Sequence, residues 1–241
     1  MFKYLIKLLS VKRLLFLTTL IIAVGAVAFL ILSSGDPSRP TQQSNSNDTA
    51  NVASNDSSAS QPTLYIGDEN AKVKLIEYGD FKCPNCAKFH STTASELRST
   101  YVSKNDLAIE FRNYPFIGPD SGRAARGTYC AEKQAIFQQY HDAVFDHMWE
   151  TYYKDGKYEA EFEDILTVDL LTSLVDSKLK DVEAFRSCLE DTALNTYIDA
   201  DLLKGADDGI NGTPGFVIGS QKIVGPQPFT VFKTLIEIEL R

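Results

Sequence analysis

The chain has 241 residues, 44% of them hydrophobic, and a formal net charge of −8. Residues 1–62 carry five basic and three acidic side chains, so the remainder stands at −10. The length suits one globular domain with additions. So acidic a domain repels phosphate backbones, which excludes nucleic acid as a partner.

Residues 14–32 form an apolar run without a charged side chain, about as long as a bilayer is thick. Lys3, Lys7, Lys12 and Arg13 precede it, and the next basic residue is Arg39. The positive-inside bias predicts a cytoplasmic basic N-terminus at 1–13, a membrane anchor at 14–32 and an extracytoplasmic remainder. Ala26-Val27-Ala28 offers a signal-peptidase pattern, but Phe29-Leu30-Ile31-Leu32 continues the apolar run beyond it, which favours a retained anchor over a cleaved leader. Residues 33–62 are Ser, Asn, Asp, Thr and Gln with few bulky apolar side chains. They bury too little to offset the entropy of ordering and are read as a flexible linker.

The globular part, 63–241, opens with strand candidates at Thr63–Ile66 and Val73–Tyr78. A helix is predicted from Cys83 to about Thr100 and a third strand at Leu107–Phe111. This strand–helix–strand unit implies a parallel pair with a right-handed crossover. A helical block follows, about 118–208. In it Ile136, Phe137, Tyr140, Val144 and Met148 recur at helical spacing, and Asp181 stands where an N-cap belongs. Gly215–Ile218 and Gln221–Val224 flank a two-residue Gly219-Ser220 turn and read as a hairpin. Thr230–Leu240 closes the chain as an amphipathic helix. The fold class expected is α/β, a small sheet domain whose unfinished strands are completed by the last hairpin, with the helical block inserted between its halves.

Cys83-Pro84-Asn85-Cys86 follows a predicted strand and opens a predicted helix, the context that a redox dithiol requires. A cysteine at a helix N-terminus gains free N–H groups and the favourable end of the helix dipole, which stabilise a thiolate. Pro84 suits the first turn, where its missing N–H costs nothing. Cys83 is therefore expected to be the reacting sulfur and Cys86, one turn deeper, the resolving one. A zinc site is the competing reading of such a pair, and it would have to recruit Cys130, Cys188 or a histidine. Cys130 and Cys188 both fall in the helical block. In an exported protein they suggest a structural disulfide, against the alternative of two separately buried thiols. His90, on the active-site helix, is read as a helix-surface residue, and His141 and His147 as structural.

Glu77-Tyr78-Gly79-Asp80-Phe81-Lys82-Cys83-Pro84-Asn85-Cys86 resembles the active-site region of the DsbA family of thioredoxin-fold oxidoreductases, above all its membrane- or lipid-anchored members of Gram-positive type. Gly212-Thr213-Pro214-Gly215-Phe216 is similar to that family's cis-proline loop. The resemblance runs from about Leu64 to Leu240. It implies a thioredoxin fold with a helical insertion, no cofactor beyond the redox-active disulfide, and oxidation of thiols in exported polypeptides. It also implies a membrane partner of DsbB or VKOR type that resets the dithiol. Carried over residue by residue, it makes Pro214 pack on the dithiol and Thr213 contact substrate backbone and tune Cys83. It makes Glu77 a buried acid that relays the Cys86 proton.

Pro84-Asn85 departs from the Pro-His common in that family, which leaves the strength of the oxidant open. It departs equally from the Gly-Pro of thioredoxin, which weighs against a dedicated reductase. No dimerisation segment precedes the fold here, which the resemblance reads against an isomerase. A non-enzymatic tethered module would leave the Thr213-Pro214 loop without a purpose.

Overall fold

The structure, a computed structural model, describes residues 61–241. The expected anchor at 14–32 and all but the end of the expected linker lie outside these residues. Among the described residues no helix is long and apolar enough to cross a membrane.

Five strands form one sheet in the order β1-β3-β2-β4-β5: β1 (Leu64–Ile66), β2 (Val73–Gly79), β3 (Leu107–Asn113), β4 (Gly215–Ile218) and β5 (Gln221–Val224). β2 and β3 run parallel, in register from Val73 opposite Leu107 to Gly79 opposite Asn113. The other three pairings are antiparallel. β2 is central, flanked by β3 and β4. A strand covered on both faces cannot alternate cleanly between apolar and polar residues. β3 reaches Asn113, two residues past its apolar pattern, because β2 supplies hydrogen-bond partners to its full length.

The crossover from β2 to β3 is α1 (Pro84–Phe89), a π turn (His90–Ala94) and α2 (Ser95–Thr100). Helical dihedrals at Phe89, His90 and Ser95 make the three pieces one bent rod. Cys86, Ala87, Phe89, His90, Thr93, Ala94 and Leu97 are its buried positions. Phe89 lies 4.6 Å from Phe216 of β4 and 5.5 Å from Phe232 of α8 (Phe229–Glu239), measured between ring centroids.

The insertion consists of α3 (Ser121–Lys133), α4 (Phe137–Thr151), α5 (Val168–Ser173), α6 (Val182–Glu190) and α7 (Asn195–Asp207), joined by short 3₁₀ turns. α3 and α4 approach closely at Gly127. A Cβ there would sit 2.0 Å from the Tyr140 hydroxyl, which instead donates to the Ala124 carbonyl at 2.9 Å. Asp181 caps α6 by accepting from the Ala184 N–H at 2.9 Å, as its sequence position suggests. Cys130 of α3 and Cys188 of α6 are joined in a disulfide.

The insertion shares its core with the sheet domain. Phe81, just past β2, packs 4.6 Å from Phe145 and 5.9 Å from Tyr140 of α4, and 5.6 Å from Phe111 of β3. Each such ring taken fully out of water contributes roughly 1.5–3 kcal/mol. Separating the insertion from the sheet would expose all four.

Candidate active site

β2 delivers the chain to the head of α1, and its last residue must be small. A Cβ on Gly79 would lie 2.6 Å from the Phe111 ring. The next three residues, Asp80, Phe81 and Lys82, are all buried. Asp80 braces the turn with both carboxylate oxygens, one accepting from the Lys82 N–H at 2.9 Å, the other from the N–H groups of Phe116 and Ile117 at 2.9 and 3.1 Å. Burial pushes the Asp80 carboxyl above its ordinary range, and these N–H groups pull it back.

Lys82 is fully enclosed. Its ammonium pairs with the equally enclosed Asp120 at 3.1 Å and donates to the Glu163 carbonyl. Its own carbonyl accepts from the Tyr153 hydroxyl at 2.6 Å. Asp120 also accepts from the N–H groups of Ile165 and Leu166, both at 2.9 Å. The residue before Cys83 is thus held at both ends by the insertion.

Cys83 is the N-cap of α1, with extended dihedrals (φ −81°, ψ 118°), and Pro84 occupies the first helical position. Both thiols are free and buried, Cys86 completely. Their surroundings drive them apart. The Cys83 thiol is lowered to about 7, first by the hydrogen bond that Cys86 donates to it, then by Thr213 and the N–H groups of Cys86 and Asn85, against the opposing effect of burial. Cys86 is pushed well above its ordinary value by burial, and further by its bond to Cys83 and the negative charge there. The resulting species is a thiolate on Cys83 held by a thiol on Cys86.

The loop between α7 and β4 faces the dithiol. The Thr213–Pro214 peptide is cis. The Thr213 carbonyl accepts from the Cys83 thiol at 3.4 Å. The Thr213 hydroxyl is buried and without a partner when Cys83 is a thiol, which leaves it free to donate to a thiolate. Gly215 is a packing requirement, since a Cβ there would meet Ile210 at 2.6 Å.

Glu77 lies in β2 opposite Phe111 and Phe216 and is buried. Burial raises its carboxyl to about 8. The positive charge of Arg98 works against that rise and the negative charge on Cys83 adds to it. Near neutral pH it is a protonated acid in a mostly apolar setting, able to exchange a proton with a thiolate.

The sequence-predicted residues Cys83, Pro84, Asn85, Cys86, Thr213, Pro214 and Glu77 therefore converge on one place. Cys130 and Cys188 stand apart, bonded to each other, so neither is available to complete a zinc site with Cys83 and Cys86. His90, expected on the helix surface, is instead buried against α4: it stands one turn after the buried Cys86, on the same face of the rod. Sequence reasoning missed Asp80, Lys82, Asp120 and Tyr153, and only the abutment of Asp80 and Lys82 on the motif hinted at them. A cleft of about 390 Å³ opens beside Pro84 and Asn85, walled on the insertion side by Trp149, Tyr153 and Tyr158.

A thioredoxin family model matches residues 59–238. Over 178 residues the chain is 32% identical to the "Probable disulfide bond formation protein D" of Bacillus cereus, an alignment covering 73% of this chain and 78% of that protein. The chain is a DsbA-like thiol–disulfide oxidoreductase. It is also 25% identical over 192 residues to the disulfide bond formation protein D of Bacillus subtilis, covering 78% of this chain and 83% of that one. Among solved structures, oxidised BdbD from Bacillus subtilis superposes with a TM-score of 0.64 at 24% identity, covering 74% of this chain and 92% of that one. The alpha-DsbA1 of Wolbachia pipientis superposes at 0.60 and 22% identity, with 74% and 90% covered. An enzyme of this family works through the disulfide of its own chain and needs no cofactor.

Proposed function

We propose that this DsbA-like enzyme is an extracytoplasmic oxidase that places disulfides in exported polypeptides through Cys83 and Cys86. The asymmetry of the two sulfurs carries this reading. A substrate thiolate attacks Cys83 of the Cys83–Cys86 disulfide, a substrate–Cys83 bond forms, and the Cys86 thiolate leaves. A second substrate thiolate then attacks the substrate sulfur of the mixed disulfide and expels the Cys83 thiolate. The substrate loses two electrons and the dithiol gains them. A Cys83 thiol at about 7 is a good leaving group, and the N–H groups around it favour the reduced enzyme, which makes the disulfide oxidising.

Glu77 supplies the proton that Cys86 needs on departure, its raised affinity for protons matching the task. Thr213 and Pro214, beside Cys83, form the edge along which substrate backbone lies. The remaining assignments rest on the sequence: 14–32 as the anchor, 1–13 in the cytoplasm, 33–62 as the tether, and a membrane redox protein of DsbB or VKOR type that withdraws the two electrons and two protons.

The deciding measurement is the equilibrium potential of Cys83–Cys86 against glutathione. A value on the oxidising side of about −200 mV supports the oxidase, and one near −270 mV, typical of thioredoxin, replaces it with a reductase.

A further inference from the structure

His90 opens the π turn after α1 and packs against α4, where its ring lies 5.3 Å from that of His141 and stacks at 5.4 Å on Phe145. Its Nε2 is 3.3 Å from an Asp146 carboxylate oxygen, and His141 Nδ1 is 3.0 Å from an Asp142 oxygen. One potential ligand atom from each of His90, His141 and Asp142 lies within 4.8 Å of the other two, the one such group of His, Cys, Asp and Glu among the described residues. A cleft of about 500 Å³, walled by His90, Asp142 and Asp146, connects the group to solvent.

Hydrogen bonding inside the protein accounts for only one nitrogen of each imidazole. His90 Nδ1 and His141 Nε2 are both buried and have no partner. A structural role alone would favour an apolar residue at either position, since an unpaired buried polar atom costs about 1–3 kcal/mol. Two imidazoles beside a carboxylate form the donor set suited to Zn²⁺. Ligand atoms at about 2.0–2.2 Å from a tetrahedral ion are roughly 3.3 Å apart, so the three groups, whose ligand atoms lie within 4.8 Å of one another, close in slightly around an ion.

Arg98 grips both oxygens of Asp142, at 2.8 and 2.9 Å, and its charge opposes a cation. Asp142 Oδ1 also meets His141 Nδ1, so the lone pair left for an ion is on Oδ2, which bonds Arg98 alone. A π turn is also a recurrent mark of functional positions in helices.

We propose that His90, His141 and Asp142, with Asp146 at the rim, bind one divalent transition-metal ion of the Zn²⁺ class. Bound there, the ion ties the helix that carries the dithiol to the insertion. The site shares no ligand with Cys83 and Cys86, so it stands whether or not the oxidase reading does.

The test uses the full-length protein with Cys83 and Cys86 oxidised, so that no active-site thiolate competes. Titration with zinc chloride by calorimetry should give one ion per chain and a higher thermal midpoint. H90Q should weaken binding at least tenfold, and D146N by about tenfold, the usual loss when a group supporting a metal site is removed. The Asp146 side chain is 66% exposed, so D146N keeps the fold and remains decisive if H90Q does not. Copper-loaded protein should show nitrogen splitting in its paramagnetic resonance spectrum. No saturable zinc binding, or binding that D146N and a folded H90Q both leave unchanged, overturns the proposal.

Discussion

Cys83 and Cys86 stand one helical turn apart and are both free thiols, while Cys130 and Cys188 are 58 residues apart and joined. Burial does not separate Cys83 from Cys130, 4% and 1% exposed, although Cys188 is only half-buried. Their places along a helix do. Cys83 caps α1, where the first N–H groups have no carbonyl to bond and turn to sulfur instead. Cys130 sits ten residues into α3, where the amides are already spent on the helix. The same side chain is a reagent in one setting and a cross-link in the other, and the deciding factor is the supply of unspent backbone donors.

The sharpest way to break this comparison is to remove the sulfurs one at a time. Cys83→Ala should abolish thiol oxidation. Cys86→Ala should accumulate substrate on Cys83, identified by mass spectrometry after acid quench, because the Cys83 thiolate can still open a substrate disulfide and no Cys86 thiol remains to release it. Adducts on Cys86 in the Cys83→Ala protein would reverse the assignment. Next in size is the anchorage of the active-site turn. Lys82→Met leaves Asp120 buried and unpaired and should cost about 3–5 kcal/mol in urea unfolding. An unchanged midpoint would mean that the enclosed pair does not hold the turn.

The double variant Cys130→Ala/Cys188→Ala should lose about 4 kcal/mol, the loop-closure value for this separation, and keep its oxidase activity. Free alkylation of both cysteines in protein isolated without reductant would remove the contrast between the pairs. Glu77 gives a smaller, pH-dependent effect. Its folded value of about 8 lies above the ordinary 4.5, so the folded state binds the extra proton. Its stabilising contribution is complete below about pH 4.5 and is lost as pH rises through 8. Glu77→Gln should therefore lack this slope and exceed the parent in stability at pH 8, the two proteins converging in acid. Parallel curves across that range would place Glu77 in contact with water.

Much of this was legible in the sequence because it is local. The Cys83-Pro84-Asn85-Cys86 motif at a strand–helix junction, the Gly219-Ser220 hairpin and the Asp181 cap each depend on a few adjacent residues, and each sits where the pattern put it. What escaped is what depends on distant partners. Lys82 reads as a solvated loop lysine until Asp120 and the Glu163 carbonyl close around it. His90 stands one turn after Cys86, on the inward face, yet its polarity reads as surface until α4 packs over it. Glu77 is marked as a buried acid by the family resemblance alone, since its own sequence neighbours do not show that β3 and β4 pair with both edges of β2.

The sheet that carries this chemistry ends in very short borders. β1 has three residues; β5 has four, three of them exposed, with Lys222 reaching over to the Gly209 carbonyl. An enzyme that handles polypeptides with unsatisfied backbone groups risks having them zip onto its own flanks and stay there. A brief margin interrupted by a lysine offers an incoming strand too few consecutive partners to hold. Such a border lets the enzyme remain a catalyst among chains that are themselves prone to aggregate.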